Sequence, residues 1–368
     1  MDFTAQKIWG NPKWSTEKKS LVYAQSVFKI LGARGSVNMD QISPSTMVID
    51  SEMPEGRLGF KTSGTTGKPK QIIHTINGLE RAYIRLREFL GTVAPFNAVS
   101  CLPIFHIGGW MQVMRSFFSE GEVYFINYRD FKLPELSSIL SQRFVSLVPA
   151  QLFELLKSKV ACRNLRLCRG IFLGGAESNH LLLARAREEE LPLLSCYGLT
   201  ETAGMVTILE TEDFMNGIEG VGKVMPDVLL RRDSKGRICI KCKSLSGPEA
   251  EKQNSFSNDW FTTSDVGHCN HQGYWQISHR IDRVINSGGK KVFPEVVEKK
   301  ILSFPEVKAC RVSHLNDLKW GQKIIALVSP SGINTDDLDM FLRKELEPFQ
   351  VPKEYIVIDE IPLDFKGK

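Results

Sequence analysis

Short apolar runs alternate with longer amphipathic stretches through the first half of the chain. VSCLPIF (99–105), VYFIN (123–127), FVSLVPA (144–150) and LCRGIFLGG (167–175) are brief and rich in β-branched or aromatic residues. Turn formers bound each of them, which predicts strands. Segments 77–90, 134–141, 151–158 and 180–190 read as helices between them. Strands alternating with helices predict a layered α/β architecture with buried parallel strands.

The texture changes after about residue 218. From 220 to 276 the chain is rich in short strands and turns, and RRDSKGRICIKCK reads as a hairpin around 234–236. A last unit has helices at 294–302 and 335–346 and strands at 309–314, 324–329 and 355–359. The expected organisation is a large N-terminal α/β domain over 1–281 and a small C-terminal α+β domain over 282–368.

Composition narrows the possibilities. The 368 residues are 42% hydrophobic and 24% charged, as in ordinary globular proteins and unlike disordered chains. No apolar run approaches the ~18 residues of a membrane-spanning helix. The opening MDFTAQKIWGNPKW has no apolar stretch like a secretory signal, so a cytoplasmic location is expected. The net charge of +5 is scattered, compatible with a small anionic ligand and unlike the basic stripe of a nucleic-acid binder. Eight cysteines are spread thinly, as free thiols would be. Cys239 and Cys242 form one C-x-x-C inside a strand-like run, and no second pair exists to complete a zinc site.

The strongest chemical signal is Thr62-Ser63-Gly64-Thr65-Thr66-Gly67-Lys68-Pro69-Lys70. Glycines let backbone N–H groups close on a phosphate, hydroxyls add donors, and lysines neutralise charge. RLGFKTS before it reads as a strand, and QIIHTINGLERAYIRL after it as a strand followed by a helix. Pro69 follows Lys68, so this is not the Walker pattern.

This run resembles the phosphate loop of the adenylate-forming superfamily: acyl-CoA synthetases, peptide-synthetase adenylation domains and luciferase. Further segments are similar to that family's motifs, from about residue 58 to the end. LPIFHIGGW (102–110) resembles the segment lining the carboxylate pocket, with His106 as an oxyanion donor and Gly108 and Gly109 leaving room for the acyl group. LGGAES (173–178) resembles part of the adenine site, implying Gly175, Ala176 and Glu177 for the nucleotide and Gly174 for the acyl group. CYGLTET (196–202) resembles the Tyr-Gly-x-Thr-Glu motif. The resemblance implies that Tyr197 stacks on adenine beside Gly198, Thr200 meets the α-phosphate and Glu201 holds Mg²⁺. In WFTTSDVG (260–267) it implies that Asp265 binds the ribose.

SHRIDRVINSGGKKVFPEVVEKKI (278–301) is similar to the family's hinge region. It implies that Arg280 contacts ribose or phosphate, Asp282 is the hinge, and Gly288, Gly289 and Lys290 approach the pantetheine channel. His279 stands where relatives carry glycine. IPLDFKGK (361–368) implies a catalytic lysine at Lys368, with Lys366 as the alternative. The stretch before the phosphate loop is shorter than in typical relatives.

The implied activity is an AMP-forming ligation of a carboxylate to coenzyme A, using ATP and Mg²⁺ and passing through an acyl-adenylate. For an acid with a second carboxylate, His106 and Arg115 are the candidate partners. Two other readings stand beside it. One is an adenylating enzyme that loads a carrier-protein thiol; the other is a non-catalytic nucleotide-binding homologue. Oligomerisation is compatible with all three.

Overall fold

The computed structural model describes residues 8–10, 37–38, 56–62, 70–176, 180–246, 256–257, 260–359 and 361. Its centre is an eight-stranded sheet. The order is Ile8–Gly10, Val123–Phe125, Ala98–Ser100, Phe144–Leu147, Gly170–Leu173, Leu193–Leu199, Gly204–Leu209 and Lys223–Val224. The first six are parallel and the last two antiparallel. Successive residues of the four central parallel strands feed opposite cores. Ala98, Phe144, Phe172 and Leu194 enter one, and Val99, Val145, Ile171 and Leu193 the other. This is the two-sided burial that the continuous apolar runs predict. Helices Ile76–Phe89 and Ile107–Phe118 cover the first face, and Pro149–Leu155, Lys159–Arg166 and His180–Glu188 the second.

The expected strands are present but shorter than their apolar runs. The run 99–105 is strand only through Ser100. Pro103 has no N–H to give a ladder. Its carbonyl instead accepts from His106 N at 3.1 Å, and a helix starts at Ile107. The run 144–150 ends as strand at Leu147, and Pro149 opens the next helix. There its missing N–H removes nothing the helix could use. The periodic reading did not include helices Ile107–Phe118 and Lys159–Arg166. The first opens with two glycines, which weaken a helix by ~1 kcal/mol each. It holds because Gly109 through Ser116 are all buried.

A three-stranded sheet carries the two strands on either side of residues 63–69. Arg57–Thr62 pairs antiparallel with Lys70–Thr75, register Thr62 opposite Lys70. A second sheet joins Leu229–Arg232, Arg237–Lys241, Phe256–Ser257, Trp260–Cys269 and Trp275–Arg280. The first two form the expected hairpin across residues 233–236. The C-terminal unit has its own sheet, with Pro294–Ile301 and Thr335–Glu345 packed on it. Its apolar residues, from Ile285 to Val351, form a core separate from the two that flank the large sheet. Among the described residues no helix is long and apolar enough to cross a membrane.

Candidate active site

The parallel strands end where the motifs begin. His106 follows Ala98–Ser100, Gly174–Ala176 follow Gly170–Leu173, and Thr200 and Glu201 follow Leu193–Leu199. The winding reverses between Ala98–Ser100 and Phe144–Leu147. Open α/β sheets bind ligands at the carboxyl ends of their strands beside such a reversal.

Four side chains from three strands and a 3₁₀ turn join in one hydrogen-bonded row. The Tyr197 hydroxyl donates to Asp265 Oδ2 at 2.7 Å. Arg280 Nη1 donates to Asp265 Oδ1 at 2.7 Å. The remaining guanidinium edge grips Asp282 through Nε at 3.0 Å and Nη2 at 2.7 Å. Asp265 and Arg280 stand directly opposite in the ladder between their strands, which explains their meeting. Asp265 is buried, and its backbone N–H is held by Thr263 Oγ1 at 3.0 Å. Burial, then the Asp265 charge, pushes the Tyr197 phenol well above its ordinary value. Burial works against the Arg280 charge, but the Asp282 hydrogen bond and the Asp265 charge outweigh it and hold its pKa above the usual guanidinium value.

Thr200 and Glu201 lie half-buried on the turn that leaves Tyr197. Glu201 is a carboxylate beside a hydroxyl, a donor set that fits Mg²⁺ completed by substrate phosphates. Among the described residues no cluster of three His, Cys, Asp or Glu could hold a metal on protein ligands alone. Cys239 is buried with Sγ 3.4 Å from Thr262 Oγ1, and Cys242 Sγ lies 3.5 Å from Ser244 Oγ.

His106 caps Ile107–Phe118 with extended backbone and packs edge-on against Phe105, ring centroids 4.6 Å apart. Gly108 is exposed, with Leu102 Cδ1 3.6 Å from where a Cβ would sit. A Cβ on Gly109 would meet the Pro103 carbonyl oxygen at 2.3 Å, so backbone packing by itself requires a glycine there. Gly198 is likewise explained by packing, because a Cβ would lie 2.1 Å from the Gly204 carbonyl oxygen. Gly174 packs against Cys196, and Gly175 takes φ +81° with Ala176 exposed beside it.

Gly288 and Gly289 turn a two-residue hairpin at φ +57° and +76°. Paired positive φ values are what such tight turns require. Lys290 sits over the Phe349 ring at 4.6 Å. His279, the departure from the family glycine, packs its ring on Phe293 at 4.0 Å.

The expected contacts of Ser63, Gly64, Thr65, Thr66, Gly67, Lys68, Pro69, Glu177, Lys366 and Lys368 lie outside the described residues. For Thr62 and Lys70 only the backbone pairing is described.

Residues that motif reading left aside also meet here. His74 reaches the Thr200 carbonyl oxygen at 2.6 Å. Buried Arg85 donates to the Met205 carbonyl at 3.0 Å and to Ser244 Oγ, with Nε 2.9 Å from Asp227. A signal was present: His74 falls on the same inward face as Ile72 in an alternating strand.

Comparison with known proteins identifies the class of enzyme. Two family models match: AMP-binding enzyme over residues 61–241, and AMP-binding enzyme C-terminal domain over 296–368. The chain belongs to the AMP-binding, adenylate-forming enzymes. The 2-succinylbenzoate–CoA ligase of Listeria monocytogenes serovar 1/2a is 29% identical over 313 residues, covering 83% of this chain and 67% of that protein. Its namesake from Bacillus subtilis strain 168 is 28% identical over 324 residues, covering 83% and 66%. The solved o-succinylbenzoate coenzyme A synthetase of Bacillus subtilis in complex with AMP has a TM-score of 0.72 and 26% identity, covering 84% of this chain and 67% of that one. The same enzyme has been solved with its acyl-adenylate intermediate, again at a TM-score of 0.72. The chain therefore spans about two thirds of the length of the relatives it matches.

Proposed function

We propose that this chain activates a carboxylic acid, 2-succinylbenzoate first among candidates, as an acyl-adenylate and transfers the acyl group to coenzyme A. The observation that carries the proposal is the Tyr197–Asp265–Arg280 row beside the Thr200–Glu201 turn. A ribose needs a carboxylate to accept its hydroxyls, and an α-phosphate needs donors and positive charge. Related enzymes with AMP or acyl-adenylate bound support this reading.

In the first half-reaction a substrate carboxylate oxygen attacks the α-phosphorus of ATP, and the bond to pyrophosphate breaks. Asp265 orients the ribose, and Tyr197 walls the adenine. Thr200 donates to the α-phosphate as charge builds on its oxygens. Glu201 would hold Mg²⁺, which when bound neutralises phosphate charge. The 62–70 loop and Lys368 supply the remaining positive charge, by the family resemblance. In the second half-reaction the coenzyme A sulfur attacks the acyl carbon and AMP leaves. Rotation about Asp282 exchanges Lys368 for the Gly288–Lys290 loop between the steps. The unit that moves is the one holding the separate core from Ile285 to Val351.

Arg115 is the better partner for a second carboxylate than His106. It is buried on Ile107–Phe118, between the rings of Phe96 at 5.8 Å and Phe172 at 5.5 Å. Its nearest polar partner is Gln112 Oε1 at 3.5 Å, and it has no acidic partner among the described residues. Burial pushes its pKa down to about 10. A buried cation without a counter-charge is costly, and an anionic substrate group would relieve that cost.

The test is pyrophosphate release with ATP, Mg²⁺ and a panel of carboxylic acids, with and without coenzyme A. Release with 2-succinylbenzoate and a coenzyme A thioester by mass spectrometry are expected. Release with a different acid only would replace the substrate. No release with any acid would overturn the proposal.

A further inference from the structure

His74 lies on Lys70–Thr75, the strand that leaves the phosphate loop, and is 1% exposed. Its Nε2 stands 2.6 Å from the carbonyl oxygen of Thr200, 126 positions away. A carbonyl can only accept, so Nε2 carries the proton. The ring is fixed from the side by an edge contact with Phe60 at 6.2 Å. The next two carbonyls of the turn are also held. Ser246 N donates to Glu201 O at 2.9 Å, and Ser244 Oγ donates to Thr202 O at 2.7 Å. Ala203, a non-glycine residue, sits at φ +55° in the same turn. That conformation costs an L-residue ~1 kcal/mol or more and persists only where its surroundings hold it.

We propose that His74 is a positioning residue for adenylation: its imidazole N–H fixes the backbone of the Thr200–Glu201 turn and so aims the hydroxyl and carboxylate that meet the nucleotide. The inference rests on the adenylation reading above. It ties the strand behind the phosphate loop to the turn that serves the α-phosphate, so two stations far apart in sequence move as one body. Burial lowers the imidazole pKa to about 4, with the Thr200 hydrogen bond opposing, so the ring is a neutral donor at neutral pH. Small displacements matter here, because a misplacement of ~1 Å near reacting groups can cost about 100-fold.

The experiment compares His74→Leu, which fills the space without a donor, with His74→Gln, whose amide N–H can reach the same carbonyl. ATP–pyrophosphate exchange should fall about 10- to 100-fold in kcat for His74→Leu, the range seen when supporting hydrogen bonds are removed. The KM for ATP should stay within about 3-fold, and His74→Gln should recover most of the rate, because the donor alone differs. Thioester formation from supplied acyl-adenylate should be little changed in both. Hydrogen exchange of the amides at 200–205 should be faster in His74→Leu. If the leucine variant does not fold, His74→Asn, whose amide falls one methylene short of the glutamine's reach, takes its place. Wild-type exchange in His74→Leu, equal loss in both variants, or equal loss in both half-reactions would each overturn the inference. If the wild-type protein exchanges pyrophosphate with no carboxylate, the adenylation reading fails by itself. The amide measurement then decides His74, and unchanged protection at 200–205 rules it out.

Discussion

The turn at 199–204 and the proposed hinge at 279–283 are both crossing points of the polypeptide, but they are held by opposite means. The turn is fastened by buried, neutral hydrogen bonds. His74 holds Thr200 O, Ser246 N holds Glu201 O, and the fully buried Ser244 holds Thr202 O. The hinge is fastened by charge at the surface: the Arg280 and Asp282 side chains are 37% and 21% exposed where they pair. Buried hydrogen bonds have no water to replace them when broken, and losing one costs ~1–3 kcal/mol. An exposed ion pair exchanges its partner for water at ~0–1 kcal/mol. The turn is therefore the firmer of the two, as the proposed rotation at 279–283 requires. Arg280 joins the two, gripping Asp265 on the nucleotide side and Asp282 on the hinge side.

That contrast can be broken most severely at the turn. Glu201→Gln and Thr200→Ala should each slow ATP–pyrophosphate exchange about 100- to 1000-fold, the usual loss when a charge-stabilising group is removed. Thioester formation from supplied acyl-adenylate should change far less. Equal loss in both assays would place the residues outside the adenylation chemistry.

A pH titration separates the regions next. His74 has an ordinary value of 6.5 and a folded value of about 4. The folded protein thus binds that proton less well than the unfolded chain. The stability His74 confers is complete above pH 6.5, declines as pH falls, and is gone near pH 4. Its full size is about 3 kcal/mol. Chemical denaturation at several pH values should show this slope in the wild-type protein and its absence in His74→Leu.

The hinge should show smaller effects, on the other half-reaction. Asp282→Pro should slow coenzyme A thioester formation by about 10-fold while leaving pyrophosphate exchange within about 3-fold, because a fixed φ blocks the rotation while Arg280 keeps its bond to Asp265. Normal thioester formation in that variant would place the pivot elsewhere. The smallest effect is on stability: Asp282→Asn should change unfolding free energy by less than about 1 kcal/mol, and less still in high salt. A larger loss would show the hinge pair to be as firm as the turn.

Much of this was legible beforehand, for identifiable reasons. The buried strands of the large sheet announced themselves as apolar runs, because parallel strands covered on both faces admit few polar residues. Helix Ile107–Phe118 did not, because it opens with two glycines, weak helix formers, directly after an apolar run that reads as strand. The motif residues Tyr197, Asp265, Arg280 and Asp282 could be picked out one by one from family resemblance. That Arg280 would bind Asp265 and Asp282 together could not, since it depends on a strand register and a turn. Gly109 and Gly198 looked like ligand contacts. The structure shows each making room for a backbone carbonyl, a close approach that leaves no local mark in sequence.

The sequence by itself determined the class of chemistry, because hydroxyl and glycine runs, a Thr-Glu pair and the aspartate proposed for the ribose are short local patterns. Tertiary structure alone decided how those stations are held. His74 acts on a residue 126 positions away and Arg85 on one 120 positions away, and neither separation carries a periodic signal. Burial also converts their ordinary polar chemistry into obligatory bonds. A histidine in water could leave its carbonyl at little cost; at 1% exposure His74 has no solvent to replace that bond.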